Sequence, residues 1–313
     1  MDESRFKILK LGVTNIMYNV PVLFLVFNRP KQTKIVFNSI RKIKPSKLYV
    51  ACDGTRSNVK NESERVAEVR DIILRNVDWD CKLYTLFQDK NLGCKEAVSR
   101  GISWFFENEK EGIILEDDCL PSESFFIFCG ELLNFYRNDD TVMHISGYNH
   151  FPVKNNCSSY YFSKYPGIWG WATWRSAWEK YDRDLLDYND NYLKQVLNTK
   201  ELNYWDKIFK KVKNLKIDTW DYQWTYTLLK NNYLSIRPNC NLVQNIGIGD
   251  DATHTKIKNE EIRKNIYMEI EFPLIHPENI DIDRKKEDEF FQKRLNPSII
   301  KKVNTLLKGL IKK

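Results

Sequence analysis

The first third of the chain alternates short apolar runs with amphipathic stretches. Val20 to Phe27 is an apolar run that Asn28-Arg29-Pro30 cuts off, and it reads as a strand. Gln32 to Ile43 then places Ile35, Val36, Ile40 and Ile43 at helical spacing. Leu48 to Cys52 is a second strand, stopped by Asp53-Gly54. Glu62 to Asn76 is a second helix, with Val66, Val69, Ile72 and Ile73 on one side. Cys81 to Phe87 is a third strand. Cys94 to Asn108 is a helix facing inward through Ala97, Val98, Ile102, Phe105 and Phe106, and Gly112 to Leu115 is the fourth strand. This βαβαβαβ order predicts an α/β fold with a mostly parallel sheet and right-handed crossovers.

The second half is less regular. Thr141 to Ile145 and Tyr233 to Ile236 read as strands, and Asp190 to Leu215 as polar surface helix. Trp220 to Leu229 reads as a partly buried helix, while Pro166 to Tyr181 is dense in tryptophan. Gly247 to Thr255 reads as a mobile loop. Within it, Gly247-Ile248-Gly249-Asp250-Asp251-Ala252 matches G-x-G-x-x-A, but it opens no βαβ unit, so the dinucleotide fingerprint is rejected. With no linker visible, both halves belong to one domain.

Composition narrows the class. The 49 basic and 42 acidic residues of 313 leave a net charge of +7, with no concentrated basic face in the interior, so nucleic acid is not an expected partner. No apolar run reaches the length of a membrane span, and the N-terminus lacks the apolar core of a signal peptide. Seven scattered cysteines without a C-x-x-C pair argue against a zinc site or a disulfide framework and fit a reducing cytoplasm.

The chemistry gathers where strands end. Ile113, Ile114 and Leu115 run straight into Glu116, Asp117 and Asp118. In an open α/β sheet that places three carboxylates at the carboxyl edge, where ligands bind. They repel one another unless something positive meets them. A divalent metal shared with a nucleotide diphosphate answers that need; a solvated acidic turn is the other reading. Asn28-Arg29, Asp53 and Gln88-Asp89-Lys90-Asn91 close the neighbouring strands and converge on the same edge. Arg29 suits base or phosphate, and Asp53 a base or ribose; each residue alone is also ordinary turn chemistry. Asp221, inside Trp220-Asp221-Tyr222-Gln223-Trp224, is a candidate base among rings or a helix-start acid. Trp169 and Trp171, around Gly170, are candidate stacking floors for a sugar, while Trp174 and Trp178 read as core.

Together these segments resemble a GT-A glycosyltransferase, most closely the N-acetylglucosaminyltransferase I-like group and its bacterial relatives. The resemblance runs from about Pro21 to about Thr255. It implies a Rossmann-like, mostly parallel central sheet with flanking helices and a smaller acceptor-side half. Glu116-Asp117-Asp118 resembles the family's form of the D-x-D motif. Carried over, Asp118 binds Mn2+ or Mg2+, and Glu116 and Asp117 contact donor sugar or ribose. Asp53 is similar to the acid that contacts the base, and Asn91-Leu92-Gly93 to the segment before the helix flanking the diphosphate. Ser146 to Asn149 and Pro166 to Trp171 resemble segments near donor and acceptor. Trp220 to Trp224 resembles the tryptophan–acid motif, which makes Asp221 the catalytic base. Arg237-Pro238 and the loop through His254 resemble the segment that closes over the donor.

The function so implied is metal-dependent, inverting transfer of a hexosyl or N-acetylhexosaminyl group. The donor is a nucleotide-sugar of the UDP type, with UDP-GlcNAc the family's example. The acceptor is a hydroxyl of a glycan or lipid-linked oligosaccharide in surface polysaccharide synthesis. Alternatives are a nucleotidyltransferase, which would want a glycine- and lysine-rich loop where Asn28-Arg29-Pro30 stands, or an inactive carbohydrate-binding relative. Unlike the family's animal members the chain shows no N-terminal anchor, which points to a bacterial-type cytoplasmic enzyme. The expected division is a catalytic domain over 1–275, with a nucleotide-sugar half at about 20–120 and an acceptor half at about 121–275, then a tail over 276–313. In that tail, Ile299, Ile300, Val303, Leu306, Leu307, Leu310 and Ile311 form one face of a basic amphipathic helix. It suits either an anionic membrane surface, making the enzyme peripheral, or packing on the domain.

Overall fold

The first strand, β1 (Val22–Val26), is buried on both faces and is an interior strand of the sheet. These details come from a computed structural model, which describes residues 18–151, 158–247 and 266–296. Pro30 starts α1 (Pro30–Ile43) directly after Arg29, because its fixed φ suits a first helical position and its missing N–H is no loss there. Then follow β2 (Lys47–Cys52), α2 (Glu62–Asn76), β3 (Lys82–Phe87), α3 (Cys94–Asn108) and β4 (Glu111–Glu116). β1 pairs in parallel with both β2 and β4, and β2 with β3.

The rest of the chain extends the sheet beyond β4. After β5 (Cys119–Pro121) and α4 (Glu123–Phe135) come β6 (Val142–Ser146), β7 (Tyr160–Ser163) and β8 (Trp171–Trp174). Next are α5 (Arg175–Trp178), α6 (Asp190–Leu193), α7 (Thr199–Lys213), α8 (Asp221–Lys230), β9 (Leu234–Pro238) and β10 (Val243–Asn245). Among the described residues the main sheet has the order β3-β2-β1-β4-β8-β6-β9-β7, and β5 pairs with β10 in a small second sheet. β8 runs antiparallel to both its neighbours and β7 antiparallel to β9, while β6 and β9 run parallel. Six of the eight strands therefore point one way, the mostly parallel α/β sheet expected of a GT-A-like chain.

Strand alternation splits the core into two layers. Val22, Phe24, Val26, Ile113 and Leu115 face α1, α2 and α4. Leu23, Leu25 and Ile114 face α3, α5 and α8. A third cluster, around Tyr165, Leu193, Trp205, Phe209 and Tyr226, holds α6 and α7 to the second half. Asp190–Leu215 is thus no purely surface segment: Trp205, Phe209 and Val212 form a buried stripe.

Residues 276–296, assigned above to the tail, are built into the same unit. Ile282 bridges to Phe162, and α9 (Arg284–Phe290) sets Phe290 against Tyr165 and under the Arg237 guanidinium. The amphipathic stretch from Ser298 to Lys313 lies outside the described residues, as does His254 with most of the Gly247–Thr255 loop. No helix among the described residues is long and apolar enough to cross a membrane.

Candidate active site

The strand order reverses at β1: β2 and β3 lie on one side of it and β4 on the other. The crevice at the carboxyl ends of β1 and β4 is therefore the switch point at which open α/β sheets bind ligands. Arg29 leaves β1 there, and Glu116-Asp117-Asp118 leaves β4.

Alternation divides the acidic triplet between the two faces of the sheet. Asp117 is buried on the α1 side, where Arg29 Nη1 donates to its Oδ1 at 3.0 Å and to Asp118 Oδ2 at 2.8 Å. Burial, then the charge of Asp118, pushes the Asp117 carboxyl up to about 7 despite Arg29. Glu116 points to the opposite face. Its pKa is raised well above the usual range, first by burial, then by Asp118, Asp117 and Asp221, with Arg29 opposing. Asp221, in the first turn of α8, thus lies near enough to Glu116 to raise its pKa, although 105 residues separate them in sequence. The Thr219 hydroxyl donates to Asp221 Oδ1, and the buried Trp220 and Trp224 wall that turn.

Cys94, which the sequence did not single out, opens α3 beside the same acids. Burial, then Glu116, Asp218, Asp221 and Asp53 in turn, pushes its thiol up to about 12. It is therefore a protonated, inert thiol ringed by carboxylates from three strand or helix ends.

Asp53 does different work. Its Oδ1 accepts from the Gly54 and Leu92 amides at 2.8 and 2.9 Å, and its Oδ2 from Asn91 Nδ2 at 2.8 Å and the Gly93 amide at 3.2 Å. Asp53 and Asn91 together pin the β3–α3 loop to the end of β2. Gly93 completes that loop at φ +84°, a conformation that side chains strain to adopt. Asn28 is likewise engaged inside the protein. Its amide donates to buried Glu62 at 2.7 Å, and Glu62 also accepts from the Arg56 amide at 2.7 Å. Glu62 was missed as well, because an acid at a helix start looks like ordinary capping chemistry.

The tryptophan segment needs one correction. Trp171 is fully buried in β8, stacked on His144 and Trp220 at 5.0 and 5.7 Å between ring centroids. As the first residue of an interior strand it is core and offers no face to a sugar. Trp169 is half-buried beside Tyr148, at 4.3 Å. Gly170, at φ +62°, packs so closely that a Cβ would lie 2.8 Å from Val243. Trp174 and Trp178 are core, as expected.

Arg237 likewise lies inside, donating to the Tyr165 carbonyl at 3.0 Å. Gly247 rests directly on Asp118, where a Cβ would collide with the carboxylate, and the Ile246 amide donates to the Asp118 carbonyl at 2.8 Å. The start of the expected closing loop is therefore seated on the expected metal ligand.

The donor set suits a hard cation. Among the described residues, Glu116, Asp118 and Asp221 bring carboxylates together between the end of β4 and the start of α8, and the Arg29 guanidinium pairs with Asp117 and Asp118. Among the described residues no three metal-ligating side chains are grouped to hold an ion unaided. The residues therefore fit a Mg2+- or Mn2+-type ion whose remaining ligands come from phosphates and water.

No protein-family model and no curated protein sequence matches the chain. Solved structures give only remote likenesses. Mouse xyloside xylosyltransferase 1 is 10% identical over 68% of this chain and 81% of its own, with a TM-score of 0.36. HddC from Yersinia pseudotuberculosis is 8% identical over 52% of this chain and 80% of its own, at 0.31. A UDP-glucose pyrophosphorylase complexed with UDP-glucose is 10% identical over 68% of this chain and 97% of its own, at 0.30. None superposes closely enough to transfer a residue or an activity.

Proposed function

We propose that the protein is an inverting glycosyltransferase that uses a nucleotide-diphosphate sugar. One observation carries the reading: at the carboxyl end of β4, the sheet's switch point, Glu116 feels the charges of both Asp118 and Asp221, the latter from the start of α8, and Arg29 pairs with Asp118. In this reading an acceptor hydroxyl enters from the α8 side. Asp221 takes its proton as the oxygen bonds to the anomeric carbon, and the bond from that carbon to the diphosphate breaks on the opposite face. Asp118 would hold Mn2+ or Mg2+ together with the diphosphate; bound there, the ion supplies positive charge to the leaving group. Arg29 offers a second positive charge at the same edge, and Glu116 and Asp117 contact donor sugar or ribose. Trp169, on the partly exposed side, is the ring that remains for stacking.

A nucleotidyltransferase on a similar sheet is the competing reading. It wants a glycine- and lysine-rich loop after β1, but here α1 begins at Pro30, one residue after Arg29. Incubation with UDP-GlcNAc, a hydroxyl acceptor and Mn2+, in parallel with and without pyrophosphate, separates the two. Free UDP and a product of inverted anomeric configuration support the transferase. Pyrophosphate-dependent formation of UTP from the same donor would overturn it. The broader donor is a UDP-sugar and the acceptor a glycan or lipid-linked glycan.

A further inference from the structure

His144 lies in the middle of β6 between Met143 and Ile145 and is fully buried. A buried imidazole must have both ring nitrogens satisfied or lose their hydration uncompensated. Trp224 Nε1 donates to His144 Nδ1 at 3.1 Å, and His144 Nε2 lies 3.0 Å from the Gly167 carbonyl oxygen. An indole N–H only donates, so Nδ1 accepts, the ring proton sits on Nε2, and Nε2 donates to Gly167. The ring is also stacked on Trp171 at 5.0 Å. Burial pushes its pKa down to about 3, so it stays neutral.

Its two partners come from two different segments of the chain, the helix α8 and the Gly167–Gly170 stretch. Trp224 lies one helical turn after Asp221, on the helix whose first turn carries that acid. Gly167 opens the segment running to Trp169 and Gly170, and the Gly170 carbonyl accepts from the Gly147 amide at 2.7 Å. A purely apolar residue would fill the same space. A ring that donates on one side and accepts on the other links both segments to the middle of β6, in addition to the Gly147–Gly170 backbone bond at its end.

We propose that His144 is a positioning residue: its Nδ1 fixes Asp221 through Trp224, and its Nε2 fixes the Gly167–Gly170 segment. The proposal rests on Asp221 being the base. Displacing a reacting group by about 1 Å can cost about a hundredfold in rate, so the two bonds have separable signatures. His144→Gln keeps a donor near Nε2 but gives up the acceptor for Trp224. His144→Asn keeps an acceptor near Nδ1 but gives up the bond to Gly167.

With UDP-GlcNAc as donor and free UDP as the readout, His144→Gln should lower kcat about ten- to a hundredfold and leave the donor KM within about twofold. His144→Asn should hold kcat and raise the donor KM. Trp224→Phe, which removes the same bond from the other side, should match His144→Gln, and the double variant should lose nothing further. Equal losses in both His144 variants, or an unchanged kcat in His144→Gln and Trp224→Phe, would overturn the proposal. A readout independent of turnover is hydrogen exchange of the Trp224 indole N–H. Slow exchange in wild type and His144→Asn with fast exchange in His144→Gln supports the brace, and fast exchange in the wild type refutes it even if both variants fail to fold. Asp221→Asn assayed alongside separates the two claims. Wild-type turnover there removes the base assignment, while the exchange result still judges the brace.

Discussion

Asp53 and Glu116 leave strands of the same sheet at the same edge, yet their surroundings are opposite. Asp53 is met by backbone amides of Gly54, Leu92 and Gly93 and by the Asn91 side chain. Among the described residues, the charges acting most strongly on Glu116 are those of three other carboxylates, with Arg29 opposing. A carboxylate that accepts several hydrogen bonds from its own fold is an organiser of that fold. One surrounded by like charge destabilises the empty protein and is retained where something positive is to bind. Two acids at the same sheet edge therefore differ in surroundings, Asp53 held by its own fold and Glu116 crowded by like charge, and the proposed function gives that difference consequences that can be tested from either side.

The largest effect is expected at Asp118. Asp118→Ala should lose turnover and the metal-dependent part of UDP binding while its melting temperature stays close to wild type. Wild-type turnover in excess chelator would remove the metal from the account. Next in size is Asp221→Asn, which keeps the shape but takes no proton. Its kcat should fall about a hundred- to ten-thousandfold, with UDP affinity unchanged. A wild-type rate would move the base elsewhere, with Asp218 the nearest other acid in that stretch.

The scaffold side predicts loss of stability. Asp53→Ala strands the amides of the Asn91–Gly93 loop and should cost about 2–4 kcal/mol of unfolding free energy, measured by denaturant titration. An unchanged midpoint would mean that the loop is held by something other than Asp53.

The smallest effect has the opposite sign. Glu116→Gln removes one of the crowded charges and should raise unfolding stability by about 1 kcal/mol while impairing turnover. A fall in stability would show that Glu116 is structurally satisfied. The pH dependence follows from Asp117, whose carboxyl is raised from 3.8 to about 7. Between those values the folded state binds more protons than the unfolded chain, so this contribution is full below the lower value and declines as pH rises. Relative to Asp117→Asn, wild type should therefore lose stability from acid toward neutral pH. A flat difference between the two would contradict the assignment.

How much of this was legible in the sequence differs between the two halves. Strands buried on both faces and helices with a clear inner stripe announce themselves, so Glu62–Asn76 and Cys94–Asn108 were placed to the residue. β8 was not foreseen. Its four residues, Trp171–Trp174, have no length over which alternation shows, and only tertiary packing inserts them between β4 and β6. Without that strand in view, Trp171 reads in sequence as a ligand platform, whereas its burial in β8 makes it core. The acidic triplet stood out because charge following an apolar run is a local signal. The split of Glu116 toward Asp221 and Asp117 toward Arg29 is not local, since it depends on which helix covers which face. His144 gave no signal at all, because one histidine in an apolar strand looks the same whether or not both nitrogens brace the site.

The most direct test of the central claim is UDP binding at the switch point. Thermal unfolding of the wild-type protein would be followed with UDP alone, with Mn2+ alone, and with both. A ligand at a hundred times its dissociation constant adds about 2.7 kcal/mol to the folded state, so UDP with Mn2+ should raise the melting temperature by several degrees. That rise should vanish in Asp118→Ala. No stabilisation by the pair, or the same stabilisation in Asp118→Ala, would contradict the account.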